Sequence, residues 1–177
     1  MKKFLLLFLM PHLLGMDSEK CLTWRGWVDS MHVARERGSI EDQQRLMNFL
    51  AGNKLLQNKS FLLMVAAAEH GWCDVIDKLS LPTELATESI QAVLSAAARS
   101  NQAMVVGKLI QTHPELSVAA ISDAAYIALA QGHIATVEEF SRYPDKVDVK
   151  LYTRLVKIVQ NSKNKKRVAF LMSQPID

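Results

Sequence analysis

Cysteine is nearly absent: Cys21 and Cys73 are the two in 177 residues, too few to staple a chain this long, and their spacing fits no common zinc pattern. Both read as buried thiols. Glycine and proline are scarce, at 7 and 5 residues, which excludes a loop-rich or low-complexity chain. Aromatic residues make up 7%, and no stretch alternates Val, Thr and Tyr as a half-buried strand would, so a sheet is excluded as the main architecture. No phosphate loop, HExxH or paired-cysteine motif occurs, so neither a cofactor nor a metal is expected. Neither sign of charge dominates, the net charge being +3. The longest apolar run near the start, FLLLFLM, is well short of the ~20 residues that cross a bilayer, so no transmembrane span is expected.

What is present is an apolar, helix-favouring chain, 49% hydrophobic and 22% charged, with plentiful Ala, Leu, Met, Lys and Gln. That composition excludes disorder and supports an all-α domain with a sizeable core. Residues 1–16 stand apart from residues 17–177. Lys2 and Lys3 precede the apolar run, as in a secretory signal peptide, but no small-x-small cleavage motif follows. A capping helix, or an upstream extension of a chain starting at Met16, fits equally. Export follows from the first reading, a cytoplasmic location from the others.

Pro82, Pro114, Pro144 and Pro175 lie 32, 30 and 31 residues apart. Each follows an apolar residue that closes an amphipathic stretch: Leu79, Leu109, Phe140 and Leu171, with Leu46 as an earlier counterpart. Eight residues before each closing residue stand Gly38, Gly71, Asn101, Gly132 and Lys163, and the first four tolerate a left-handed backbone where one helix gives way to the next. The stretches ahead of these turns have helical period. Ile90, Val93, Leu94, Ala97 and Ala98 mark one buried face, Ile121, Ala124, Ala125, Ala128 and Leu129 the next, and Tyr152, Leu155, Val156 and Val159 the last. Shorter second helices carry Val75, Ile76 and Leu79; Val105, Val106 and Leu109; Val137 and Phe140; and Val168, Leu171 and Met172. Proline stops each of them, and Thr83, Ser117 or Asp148 caps the helix that follows. The pattern predicts a helical-repeat solenoid of about five helix-turn-helix units over residues 22–174, stable only through stacking.

The segments AAAEHGWCDVIDKL, AAARSNQAMVVGKL and IALAQGHIATVEEF resemble the ankyrin repeat, with His133 after Gly132 as in the family's Gly-His pair, and DSMHVA at 29–34 as a weak form of its TPLHxA. The tetrapeptide is missing elsewhere, where LLMV, AVLS and DAAY stand in its place, and the linkers are too short for the projecting β-hairpin fingers. The resemblance therefore implies an ankyrin-like α-solenoid with reduced or missing fingers. It implies a protein-interaction module, an adaptor, scaffold or protein delivered by bacteria to host cells, that binds another protein on the concave face of its first helices.

On that resemblance Glu36 and Arg37, Glu69 and His70, Arg99 and Ser100, and Ala130 and Gln131 fall at the ends of the first helices as a polar ladder, with a solvated face as the bland alternative. Trp24 and Trp27, at i and i+3, read as core, whereas Trp72, just after a turn, is the better candidate for exposure at an interface. A second reading uses the basic end of the chain. Lys150, Arg154 and Lys157 are followed by Lys163, Lys165, Lys166 and Arg167, a cluster suited to nucleic acid or an anionic surface. A cysteine-dependent enzyme would need His70, Cys73 and Asp74, with Cys73 opening a helix. No second cluster supplies an oxyanion hole or an orienting acid, so no enzyme is expected.

Overall fold

The computed structural model describes residues 23–79 and 86–161. Residues 1–16, Cys21, Pro82, Thr83, Lys163, Lys165, Lys166, Arg167, Val168, Leu171, Met172 and Pro175 lie outside them. The described chain is all-α: ten α-helices packed mostly in sequence order, with one 3₁₀ turn and no strand among the described residues. It divides into two compact units, residues 23–64 with 77–79, and residues 65–76 with 86–161.

The first unit opens with α1 (Trp24–Glu36), capped by Thr23, whose hydroxyl accepts from Gly26 N at 3.0 Å. Trp27, Met31 and Ala34 bury one stripe of α1, and the Trp27 indole donates to Leu46 O at 3.0 Å, tying α1 to α2 (Ile40–Gly52). Sequence spacing closes this second helix at Leu46. It instead continues to Gly52, because no proline follows Leu46 and Leu50 extends the buried stripe. Asn53 then ends α2 and caps a short α3 (Lys54–Gln57) through Oδ1, an element the periodicity does not announce. Helix α4 (Ser60–His70) begins here, with Leu63 and Met64 buried.

In the second unit α4 ends on the buried trio Ala66, Ala67 and Ala68 and turns into α5 (Cys73–Lys78). Then come α6 (Ala86–Arg99), α7 (Ala103–Thr112), α8 (Val118–Ala130), α9 (Ile134–Phe140), a 3₁₀ turn at Pro144–Lys146, and α10 (Val149–Gln160). Helix α6 packs on α7 and α8, α7 on α9, α8 on α9 and α10, and α9 on α10. First helices thus lie against first helices and second against second. All the apolar residues that the period assigns to α6 and α8 are buried, as are Val105, Val106, Leu109, Val137 and Phe140. Fully burying one such Val, Leu or Phe contributes about 1.5–3 kcal/mol. On α10 the buried stripe is Leu151, Leu155 and Ile158, and Tyr152, Val156 and Val159 are half-buried beside it. Apolar residues occupy two adjacent strips of this helix, so its period fits either, and contact with α8 and α9 selects one. Ser117 and Asp148 cap α8 and α10, Ser117 Oγ accepting from Ala120 N and Asp148 Oδ1 from Lys150 N and Leu151 N.

Four corners share one hydrogen-bond pattern. Gly38, Gly71, Asn101 and Gly132 have φ of 67°, 76°, 58° and 74°, the left-handed conformation expected of them. The amide after each corner bonds to an alanine five residues back: Ser39 to Ala34 (3.0 Å), Trp72 to Ala67 (2.8 Å), Gln102 to Ala97 (2.9 Å) and His133 to Ala128 (2.9 Å). The corner amides themselves bond three residues back, to Arg35, Ala68, Ala98 and Leu129. This is the Schellman closure, which satisfies helix-end carbonyls that would otherwise lie orphaned against buried alanines.

Candidate functional site

The ladder residues sit one and two positions before these corners. Glu36, Arg37, Glu69, His70, Arg99 and Gln131 are exposed and Ser100 is half-buried. In the first unit, Glu36 Oε1 lies 3.3 Å from His32 Nδ1 one turn back. In the second, the ladder's main chain is already in use. Gln102 Nε2 donates to Glu69 O at 3.0 Å, and His133 Nε2 lies 2.7 Å from Arg99 O and 3.0 Å from Gln131 Oε1. Gln102 and His133 each follow a corner, and each reaches the carbonyl two residues before the preceding corner. The same position therefore staples successive pairs, and the side chains of Glu69 and Arg99 are left to solvent.

Trp72 corrects an expectation. It is 5% exposed, its ring stacked on His70 at a 4.8 Å centroid distance and 20° between planes. The Gly71 corner that was expected to project it turns it inward instead, because its amide closes the Schellman bond. Trp27 is fully buried and Trp24 half-buried, with the Arg25 guanidinium 5.3 Å over the Trp24 ring. His70 is thus engaged by Trp72 beside Cys73, which opens α5 and is half-buried. Among the described residues no group of three His, Cys, Asp or Glu side chains can hold a metal, and no helix is long and apolar enough to cross a membrane.

A polar cluster that periodicity does not reveal lies on α7 and α9. Glu139 accepts from the Tyr143 hydroxyl at 3.1 Å and pairs with Arg142 at 2.9 Å, and Gln111 Nε2 donates to the Tyr143 oxygen at 3.0 Å. Gly107 makes room for it, since a Cβ there would collide with the Glu139 carboxylate. Burial raises the Tyr143 pKa, and Glu139 adds to that rise while the Gln111 bond opposes it. The cluster has its partners within itself and clamps α7 to α9. In the first unit a cavity of about 210 Å³ is lined by Leu50, Gln57, Asn58, Ser60, Lys78 and Leu79. Two of its polar groups are already bonded within the unit, Ser60 Oγ donating to Gln57 O and Gln57 Nε2 to Ala51 O.

The outer faces of α6, α8 and α10 are in register. Glu88, Ala119 and Lys150, spaced 31 residues apart, are all exposed, as are Ala92 and Asp123, and Arg99 and Ala130. Ser95, Tyr126 and Lys157 form a further row, half-buried, exposed and exposed. Tyr126 is 53% exposed. The sequence did carry a signal for it: an aromatic residue off the stripe of Ile121, Ala124, Ala125 and Ala128. Lys150, Arg154 and Lys157, at i, i+4 and i+7, line one side of α10, the described part of the predicted basic cluster. Compared with family models, curated proteins and solved structures, the chain matches none.

Proposed function

We propose that this chain is a non-enzymatic, ankyrin-like helical-repeat module that docks another protein on the outer faces of its first helices. The observation that carries the reading is the recurrence of one corner: left-handed residues at intervals of 33, 30 and 31, each closed by the same pair of backbone bonds to the preceding helix. Repeated corners turn successive helix pairs the same way, and the exposed positions of α6, α8 and α10 then recur in rows. Such rows suit an extended protein contact better than a small ligand, which needs a concave, mostly apolar pocket with a few convergent polar groups. Tyr126 is the natural anchor, as large amphipathic aromatics carry most of the energy at interface centres. The fingers of the family are replaced by the five residues 113–117 and by the 3₁₀ turn at Pro144–Lys146.

The test is affinity capture with the full chain and with a Tyr126→Glu/Arg99→Glu variant, helicity being checked by circular dichroism. A partner retained by the native chain and lost from the variant supports the reading. Equal retention by both overturns the placement of the surface.

A further inference from the structure

Positive charge on the second unit's outer face is concentrated on one helix. Helix α10 carries Lys150, Arg154 and Lys157 and no carboxylate, and it is the last of three first helices in register. Lys150 and Lys157 are exposed, and neither forms an ion pair among the described residues. Two cations elsewhere are matched, half-buried Arg45 by Glu41 and Asp42 and exposed Arg142 by Glu139. The preceding carboxylate, Asp148, is occupied as the helix cap, and Lys146 is turned away to donate to Pro114 O at 3.1 Å. Beside the stripe, Val149 is 76% exposed, and Tyr126, in the same row as Lys157, is exposed on α8. Two unmatched lysines, half-buried Arg154 between them and two exposed apolar groups make a small amphipathic landing strip.

We propose that this strip binds an acidic peptide segment of a protein partner, whose carboxylates pair with Lys150 and Lys157 and whose apolar side chain packs on Tyr126. The proposal rests on the docking reading above and names the chemistry of the partner. Among the described residues the extent of the charge favours a peptide over nucleic acid. From Lys150 to Lys157 the helix rises about 10 Å, two turns, which matches carboxylates one and two turns apart on a partner helix. The three cations of the strip would neutralise about three phosphates, whereas strongly salt-dependent DNA binders contact six to ten; Lys163, Lys165, Lys166 and Arg167, which follow in sequence, lie outside the described residues. On the neighbouring helices the same rows carry Asp123 and Glu88, both exposed, and these would repel a phosphate backbone continuing across α8 and α6.

The experiment is fluorescence anisotropy on the full chain with two labelled probes: a helical peptide with glutamates at i, i+3 and i+7 and one leucine between them, and a single-stranded oligonucleotide of equal charge. The expected result is saturable binding of the peptide at physiological salt, weakened about tenfold by Lys150→Glu/Lys157→Glu, in keeping with two lost pairs turned repulsive. Lys150→Gln/Lys157→Gln should weaken it less, and it keeps the test valid if charge reversal perturbs folding. Tyr126→Ala should weaken binding of the leucine-bearing peptide and not of one with alanine there. Tighter binding of the oligonucleotide overturns the proposal. So does peptide binding that survives the α10 variants and is lost on Lys165→Glu/Lys166→Glu/Arg167→Glu. A peptide that fails to bind, while Tyr126→Glu still abolishes capture of a protein partner, leaves the docking face standing and removes the acidic partner.

Discussion

His133 Nε2 lies 2.7 Å from Arg99 O, thirty-four residues earlier, and Gln102 makes the equivalent bond to Glu69 O across thirty-three. Two different side chains thus perform one task at successive corners. Replacing either with alanine should cost about 1 kcal/mol, the net worth of an ordinary hydrogen bond. His133→Gln, which installs the Gln102 side chain at the same position, should retain most of that stability. Urea unfolding of the three variants is the measurement. A His133→Gln variant no more stable than His133→Ala would show that the corners are not interchangeable.

The left-handed residue Asn101 is held for a different reason from the glycines. Its Oδ1 accepts from the Thr136 hydroxyl at 3.0 Å, and Thr136 is fully buried. Asn101→Gly removes the strain of a left-handed side chain, worth about 1 kcal/mol, but leaves a buried hydroxyl without its partner, at a cost of about 1–3 kcal/mol. The single variant should therefore be destabilised or neutral. In a Thr136→Val background the same change should stabilise. Denaturant midpoints for the four members of this cycle decide it, and equal effects of Asn101→Gly in both backgrounds would exclude the coupling.

These two bonds show where sequence reading stops. The corners were legible because glycine and asparagine have a backbone reason to stand there, and the faces of α6 and α8 because an apolar stripe must repeat at helical period. What Gln102, His133 and Thr136 do was not legible, since each partner lies more than thirty residues away and its approach depends on how one helix pair stacks on the next. Trp72 illustrates the same limit. Its position after a turn suggests exposure, and only the closure of the Gly71 corner directs it inward. Helix α3 was hidden because its cap, Asn53, also ends α2, so one residue serves two elements.

Glycine replacements should rank by what surrounds each one. At Gly132 an added Cβ meets nothing within 4 Å, so Gly132→Ala should cost only the left-handed conformation, about 1 kcal/mol. At Gly71 the Cβ would come within 2.5 Å of Gln102 Oε1, so Gly71→Ala should also lose the bond to Glu69 O and cost about twice as much. Gly107 lies inside a helix, where alanine ordinarily gains about 1 kcal/mol. Here its Cβ displaces Glu139 from Tyr143 and Arg142, so Gly107→Ala should fail to stabilise, and should stabilise only once Glu139 is alanine. Thermal unfolding reads the order, with about 2–4 °C per kcal/mol expected at this size.

Tyr143 provides a pH test of the α7–α9 clamp. Burial first, and the Glu139 carboxylate after it, raise its pKa above the usual phenol value, while Gln111 pulls the other way. A raised acid is more readily protonated in the folded state, so its contribution to stability is complete below the unfolded phenol pKa and is lost as pH rises through the folded one. Tyrosinate absorbance, taken as the difference between the native chain and Tyr143→Phe, should show this residue ionising later than free tyrosine. Glu139→Gln removes the neighbouring charge while keeping an acceptor, and should move the titration back toward the free value. Gln111→Ala removes a donor that favours the ionised phenolate and should move it further up. Shifts of the same sign from the two substitutions would rule out the hydrogen-bond arrangement described for this cluster.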